Sequence, residues 1–236
     1  DSIIHPIFKE TLKYLEYNFE LEKGLEILST APIPSGSGLG SSAGFTTSLV
    51  KCLSYHLRDK EIKDKELLML ATEIEHKSGN DQIGYQDQVA SIYGSITIAN
   101  YSKEEIQIKK ASKSWVEGIT NLIQQRGFLF KSSPRIGISS KYINVKKLED
   151  KLNMYEKVLK LGEGIDMVNE DFNEENLIES LIQSSILAKE MKFRSKEIIQ
   201  IENQLKDCGA IYCKQLGAGG GGFIFSLFKN SCPNIP

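Results

Sequence analysis

The chain has 236 residues with 29 basic and 31 acidic side chains, a formal charge of −2, so no cationic field is present to hold nucleic acid or an anionic membrane surface. Its length suits one large or two small domains with a buried core, and no apolar run reaches the ~20 residues needed to span a bilayer. Four cysteines, Cys52, Cys208, Cys213 and Cys232, lack C-x-x-C or zinc spacing and read as reduced thiols of a cytoplasmic protein.

In chain order, Ile4, Phe8, Leu12 and Leu15 keep a helical rhythm through residues 3–17. Residues 21–28 are expected to form a strand with Leu25 and Ile27 on one face. That strand delivers Pro34-Ser35-Gly36-Ser37-Gly38-Leu39-Gly40-Ser41-Ser42-Ala43, a glycine and serine loop running into a helix that begins near Ser41. Phe45, Leu49, Leu53 and Leu57 recur along that helix every fourth residue. A charged connection over 58–65 leads to a second helix, with Asp64 as its expected N-cap, Leu67, Leu70, Ala71 and Ile74 as its buried stripe, and Gly79 as its stop. Glu75 lies at the edge of that stripe, in line with Leu68 and Ala71, where its carboxylate is half withdrawn from water.

Residues 78–84 are turn-rich and precede a short helix at 85–91, ended by Gly94. Residues 95–99 and 106–108 alternate across a turn at 100–105, which predicts a hairpin. A helix follows over 115–125 with Trp115, Ile119, Leu122 and Ile123 buried, then a short buried strand at 128–130. The domain boundary is placed there, giving domains at 1–126 and 127–236. The second is mostly helical, with 3.6-residue periodicity at 148–161, 177–191 and 198–205, the last capped by Ser195 and ended at Gly209. Strands at 210–214 and 223–228 close the chain on either side of Gln215-Leu216-Gly217-Ala218-Gly219-Gly220-Gly221-Gly222.

Three constellations carry chemistry. Gly36, Gly38 and Gly40 let the first loop take positive φ and approach a ligand closely. A helix start carries about half a positive charge and several N–H donors without intrahelical partners, so a glycine loop feeding one is an anion site, for phosphate above all. It is neither common phosphate loop: no Lys-Ser/Thr follows at Walker spacing, and a Gly-x-Gly-x-x-Gly pattern would need glycine where Ser41 stands. The second constellation is Glu75 with Asp87, twelve positions apart across a glycine turn. Phosphoryl transfer to an alcohol needs Mg²⁺ to bridge phosphate oxygens and a carboxylate to take or orient the hydroxyl proton. Mg²⁺ usually keeps several waters, so the Ser42 hydroxyl and the Glu75 carboxylate are a sufficient protein share. The third is the run from Gly217 to Gly222 behind Lys214, which has nothing to pack in a strand interior and reads as a loop.

As strings, these constellations resemble one family. Residues 34–43 match the GHMP kinase ATP loop, P-x-x-x-G-L-G-S-S-A, at every fixed position. Gln86-Asp87-Gln88-Val89-Ala90-Ser91 resembles the (M/Q)-D-Q-x-A-(S/A) segment of sugar-specific members, and Ala71-Thr72-Glu73-Ile74-Glu75 resembles the A-x-E-I-E stretch of the heptose 7-phosphate kinases. Residues 214–222 are similar to the late K-x-x-G-A-G-G-G-G segment. The resemblance extends over about residues 20 to 230, and the three motifs are specific jointly.

The resemblance implies an α+β fold in two lobes, the first like the second domain of ribosomal protein S5 and the second ferredoxin-like. ATP would be held by Pro34, Gly36, Ser37, Gly38, Leu39, Gly40, Ser41 and Ser42, and Mg²⁺ by Ser42 and Glu75. Asp87 would be the catalytic base, and Gly217, Ala218, Gly219 and Gly220 the substrate-side loop, while Glu73 points to another helix face and stays at the surface. The implied activity is transfer of the γ-phosphate of ATP to the anomeric hydroxyl of a sugar or sugar phosphate, a heptose 7-phosphate first. The alternatives are a galactokinase- or fucokinase-type hexose kinase and a non-catalytic nucleotide- and sugar-binding sensor. The family's first motif, an N-terminal strand and glycine loop, has no counterpart before residue 34, and the chain opens without methionine, so the expectation is either a missing N-terminal part or a family member with an incomplete sugar site. Residues 132–141 echo a further heptose kinase segment only at Arg135, Ser139 and Ser140, and Arg135, Lys141 and Lys77 are minor candidates for a substrate phosphate. The sequence leaves the oligomeric state open.

Overall fold

The computed structural model describes residues 5–17, 25–33, 37–79, 83–102, 105–132, 171–190, 196–217 and 221–230. By contact the chain divides into two compact units, one of residues 1–34 and 40–110, the other of residues 35–39 and 111–236.

The first unit is a helical cluster with a hairpin. Helix α1 (Pro6–Tyr14) starts on Pro6, whose fixed φ and missing N–H suit a first helical position. Leu12 and Leu15 pack on Leu49 and Leu53 of α2 (Ser41–Arg58). Val50 on α2 meets Ile62 and the Leu67, Leu70 and Ile74 stripe of α3 (Asp64–Lys77). Each such side chain, fully buried, contributes roughly 1.5–3 kcal/mol. Lys63, not Asp64, holds the N-cap position of α3, without a side-chain cap bond. Asp64 lies one residue inside, where with Glu66 it faces the positive end of the helix dipole. Helix α4 (Gln86–Tyr93) packs on both α2 and α3 and stops at Gly94, whose φ is 60°. Strands β1 (Thr97–Tyr101) and β2 (Ile106–Lys110) form the expected hairpin, from Thr97 opposite Lys110 to Tyr101 opposite Ile106.

The strand expected at 21–28 is not found where the chain is described. Residues 25–30 have no regular structure, Leu25 packs beside the Leu12 cluster, and Leu28 is 89% exposed. No described strand pairs with this segment, so its alternation has no ladder to stabilise it.

The second unit is built on an antiparallel sheet of β3 (Gly127–Lys131), β4 (Ala210–Gln215) and β5 (Phe223–Phe228), in the order β3-β5-β4. One face, with Ala210, Cys213, Ile224 and Phe228, is covered by Ile198 and Leu205 of a helix at Lys196–Asp207. The other, with Tyr212, Phe225 and Leu227, is covered by Leu122 of α5 (Lys113–Arg126) and by Leu177, Ile178 and Leu181 of α6 (Glu174–Glu190). The Lys196–Asp207 helix is α7. Ala210 and Cys213 share a face although three residues apart because the ladder slips one register between Ala210 and Tyr212.

Helix α5 begins at Ser112, whose Oγ accepts the Trp115 N–H. At its other end Arg126 Nε donates to the Phe228 carbonyl at 2.7 Å, and the guanidinium pairs with Glu174. These contacts put α5 with the sheet, so the units divide at 110/111 where the sequence reading drew lobes at 126/127. Two residues expected inside are outside: Ile123 is 44% and Leu129 52% exposed. Strand alternation accounts for the second, since Phe128 and Phe130 turn inward and Leu129 must turn out. The periodic stretch at 148–161 and Ser195 lie outside the described residues. Among the described residues no helix is long and apolar enough to cross a membrane.

Candidate active site

In the first unit the chemistry gathers at the start of α2. Gly40 is its N-cap in the left-handed region, φ 71°, with no side-chain cap bond and no acidic residue in the first turn. The first N–H groups of α2 therefore meet neither a capping side chain nor a carboxylate of that turn, the condition under which a helix start attracts an anion. Ser42, exposed in the first turn, donates from Oγ to Glu75 Oε2 at 2.9 Å. From the other side Gln88 Nε2 on α4 donates to Glu75 Oε1 at 3.1 Å. Glu75 is only 1% exposed, deeper than the half-withdrawn position expected, because α4 closes over the α3 stripe and Gln88 enters the interior with it.

A buried carboxylate is costly unless its charge is compensated. Both donors to Glu75 are neutral, so its charge is not balanced through these bonds. A carboxylate and a hydroxyl side by side are hard oxygen donors, and this pair fits Mg²⁺, which completes its shell with water and phosphate oxygens. It does not fit a closed protein cage, and among the described residues no group of three or more His, Cys, Asp and Glu could hold a metal.

One residue before Gln88, Asp87 emerges on the exposed side of α4. A Cβ built on Gly40 would lie 3.9 Å from the Asp87 Cβ and Cγ, so this carboxylate adjoins the helix start. The α4–α2 packing that sets it there is pinned by a 2.8 Å hydrogen bond between the Thr47 and Ser91 hydroxyls. Tyr101, at the end of β1, lies near enough that its phenol is held above the ordinary tyrosine value, by burial first and by the Asp87 charge second. Its ring lies nearly parallel to that of Tyr85, with centroids 6.2 Å apart and 16° between planes.

In the second unit the two glycine segments interlock. Gly38 (φ 79°) and Gly217 (φ 68°) are both in the left-handed region. A Cβ on Gly38 would stand 2.5 Å from the Leu216 carbonyl oxygen, and one on Gly217 would stand 2.6 Å from Gly38 Cα. Only glycine fits at either place. The buried Ser37 strengthens the join: its carbonyl accepts the Phe223 N–H at 3.2 Å, and its hydroxyl accepts the Leu39 N–H at 3.3 Å. Below it, the Gly222 carbonyl accepts both the N–H and the hydroxyl of Ser132, at 2.8 and 3.0 Å.

Ser42, Glu75, Asp87, Gly40 and Ser41 thus meet in one unit, and Ser37, Gly38, Leu39 and Gly217 in the other. Pro34, Gly36, Ala218, Gly219, Gly220, Arg135 and Lys141 lie outside the described residues. Lys77 is taken up by Glu73, 2.6 Å away on the same exposed helix face, in keeping with the surface reading of Glu73. Sequence reasoning gave no role to Gln88, Tyr85, Tyr101 or Ser132. For Gln88 a signal existed, since it stands one helical turn before the apolar Ile92 and so lies in the buried stripe.

Residues 6–95 match the GHMP kinases N terminal domain family. A mevalonate kinase of Pyrococcus abyssi is 24% identical over 92% of this chain and 66% of its own length. The structure of the Methanococcus jannaschii mevalonate kinase superposes with a TM-score of 0.67 at 24% identity, covering 94% of this chain and 66% of that one. That of a D-glycero-D-manno-heptose 1-phosphate kinase from Bacteriodes thetaiotaomicron gives 0.64 at 19% identity, covering 95% and 64%. The chain thus spans just under two thirds of the first relative and shares the α+β fold of these structures. The glycine loop and the helix it feeds fall within the residues that match this family, so residues 6–95 carry the likeness to the GHMP kinases N terminal domain.

Proposed function

We propose that this chain is an ATP- and Mg²⁺-dependent small-molecule kinase that phosphorylates a hydroxyl of a sugar or sugar phosphate, with a heptose 7-phosphate as the first acceptor to test. The observation that carries the reading is the Ser42–Glu75 pair at an uncapped helix start, with Asp87 beside the same glycine. In this reading residues 34–42 hold the nucleotide phosphates, through backbone N–H groups and the Ser37, Ser41 and Ser42 hydroxyls. Ser42 and Glu75 would hold Mg²⁺, which when bound would offset negative charge on the phosphates during transfer. Gln88 keeps the Glu75 carboxylate turned toward Ser42. Asp87 accepts the proton of the acceptor hydroxyl as its oxygen bonds to the γ-phosphorus and the bond to the β–γ bridging oxygen breaks, leaving ADP. Gly217, Ala218, Gly219 and Gly220 shape the acceptor side.

The test is ADP release by the intact protein with heptose 7-phosphate, galactose, fucose and (R)-mevalonate in parallel, with and without Mg²⁺. Magnesium-dependent turnover of a sugar is expected. Turnover of mevalonate alone would transfer the acceptor assignment to the kinase named for the Pyrococcus relative. Binding of ATP and a sugar without turnover of any acceptor would favour the sensor.

A further inference from the structure

Tyr85 and Tyr101 have no part in the chemistry above, yet they stand against it. Tyr85 is the residue from which α4 starts, two before Asp87, and Tyr101 ends β1. Their centroid separation of 6.2 Å and interplanar angle of 16° make an offset parallel pair within the range where aromatic rings attract. Tyr85 is half-buried and Tyr101 46% exposed, so the pair is not enclosed by the core.

We propose that Tyr85 and Tyr101 form an acceptor wall beside Asp87 that takes the C–H face of a ring sugar, so that this site selects ring sugars over open-chain hydroxy acids. The proposal rests on the kinase reading and narrows its substrate class. A sugar ring presents C–H groups with partial positive charge on one face, which complement the negative face of an aromatic ring, and hydroxyls at its rim, which suit phenols. The Tyr101 phenol is protonated at neutral pH, as tyrosines ordinarily are, and so can donate to a rim hydroxyl. An open-chain hydroxy acid has no rigid C–H face to lay on the rings, and its carboxylate finds no cation on them. A purely structural pair would anchor the hairpin to α4, and its loss would lower stability without discriminating among acceptors.

The experiment is ligand-observed saturation-transfer NMR on the intact protein with ATP and Mg²⁺, using galactose, heptose 7-phosphate and (R)-mevalonate as probes. Wild type is compared with Tyr101→Ala, Tyr85→Ala, Tyr101→Phe, and Tyr101→Leu, which keeps apolar bulk against the hairpin but has no aromatic face. The expected result is transfer to ring C–H protons of at least one sugar. Affinity should fall about tenfold in Tyr101→Ala, Tyr101→Leu and Tyr85→Ala, and fall only a few-fold in Tyr101→Phe, which keeps the aromatic face and loses the phenol donor, with mevalonate about tenfold weaker than the sugar. Contact with neither sugar, equal sugar affinity in Tyr101→Leu, or tighter binding of mevalonate overturns the proposal. Mevalonate turnover unaffected by either tyrosine change would leave the kinase reading standing and the wall refuted. Sugar contact that depends on the tyrosines but never leads to ADP release would do the reverse.

Discussion

Gly38 and Gly40 are two residues apart in one loop, and both have positive φ, yet their surroundings differ in kind. The space where a Gly38 side chain would stand is filled by backbone of the Leu216–Gly217 segment, at 2.5 Å. Among the described residues, the corresponding space at Gly40 holds only Asp87, at 3.9 Å. One glycine is required because main chain meets main chain; the other leaves room beside a carboxylate and an uncapped helix. A single motif therefore contains one glycine where a side chain would collide with main chain and one where a side chain would have room.

The largest expected effect breaks the first half of that contrast. In Gly38→Val a Cβ cannot coexist with the Leu216 carbonyl, and left-handed φ is added strain, so about 2–5 kcal/mol of stability should be lost together with nucleotide binding. Gly40→Ala meets no clash and should lose only the left-handed penalty, about 1–2 kcal/mol. Thermal melts that rank the two in the opposite order would show that the interlock of Gly38 with Gly217 is not what the loop requires.

Asp87→Asn tests the other half. The side chain is exposed and its size is kept, so the melting temperature should stay within a few degrees. A general base contributes about 10²–10⁴-fold, and kcat should fall by that much with KM little changed. A kcat within about twofold of wild type would remove Asp87 from the proton step.

Much of this was legible beforehand, for reasons that also explain the rest. The α2 and α3 helices announce themselves because Leu49, Leu53, Leu67, Leu70 and Ile74 repeat with the period of the structure that buries them. The residues at the α2 start could be named because glycine and serine types there are dictated by backbone geometry and by oxygen chemistry. What stayed hidden depends on contacts distant in sequence. The Gly38–Gly217 interlock joins positions 179 residues apart, which no local pattern encodes. Glu75 looked like an edge residue because Ser42 on α2 and Gln88 on α4, both distant in sequence, close over it. Residues 25–28 alternate like a strand, but alternation cannot supply a partner.

A smaller effect tests whether the Glu75 and Ser42 oxygens serve a metal or only each other. Glu75→Gln removes the buried charge while leaving a side chain that still accepts from Ser42 or Gln88 through one oxygen. The fold should therefore survive, with stability changed by about 1 kcal/mol in either direction. The Mg²⁺ concentration for half-maximal turnover should rise about tenfold or more, and Ser42→Ala should raise it by less, since a neutral ligand holds a hard cation less tightly than a carboxylate. An unchanged Mg²⁺ dependence in Glu75→Gln would leave Glu75 a buried structural acid.

The smallest effect concerns the Asp87–Tyr101 proximity and is read at alkaline pH. Tyr101 ionises by losing a proton, and in the folded chain burial and then the Asp87 charge hold its pKa above the ordinary tyrosine value of 10.0. The unfolded chain therefore releases this proton first and binds fewer protons above about pH 10. It follows that the contribution is fully present below pH about 10 and is lost as pH rises through the folded value. Tyr93, raised by burial and then by Asp64, adds a loss of the same sign. Urea midpoints measured between pH 9 and 11 should fall with pH in the wild type and fall less steeply in Tyr101→Phe, which has no proton to release. Asp87→Asn should lie between the two, because burial, the larger cause, remains when the charge is gone. If Asp87→Asn follows the wild-type curve and Tyr101→Phe does not, the phenol is buried but does not feel the carboxylate, and the acceptor wall loses its link to the proton-accepting residue.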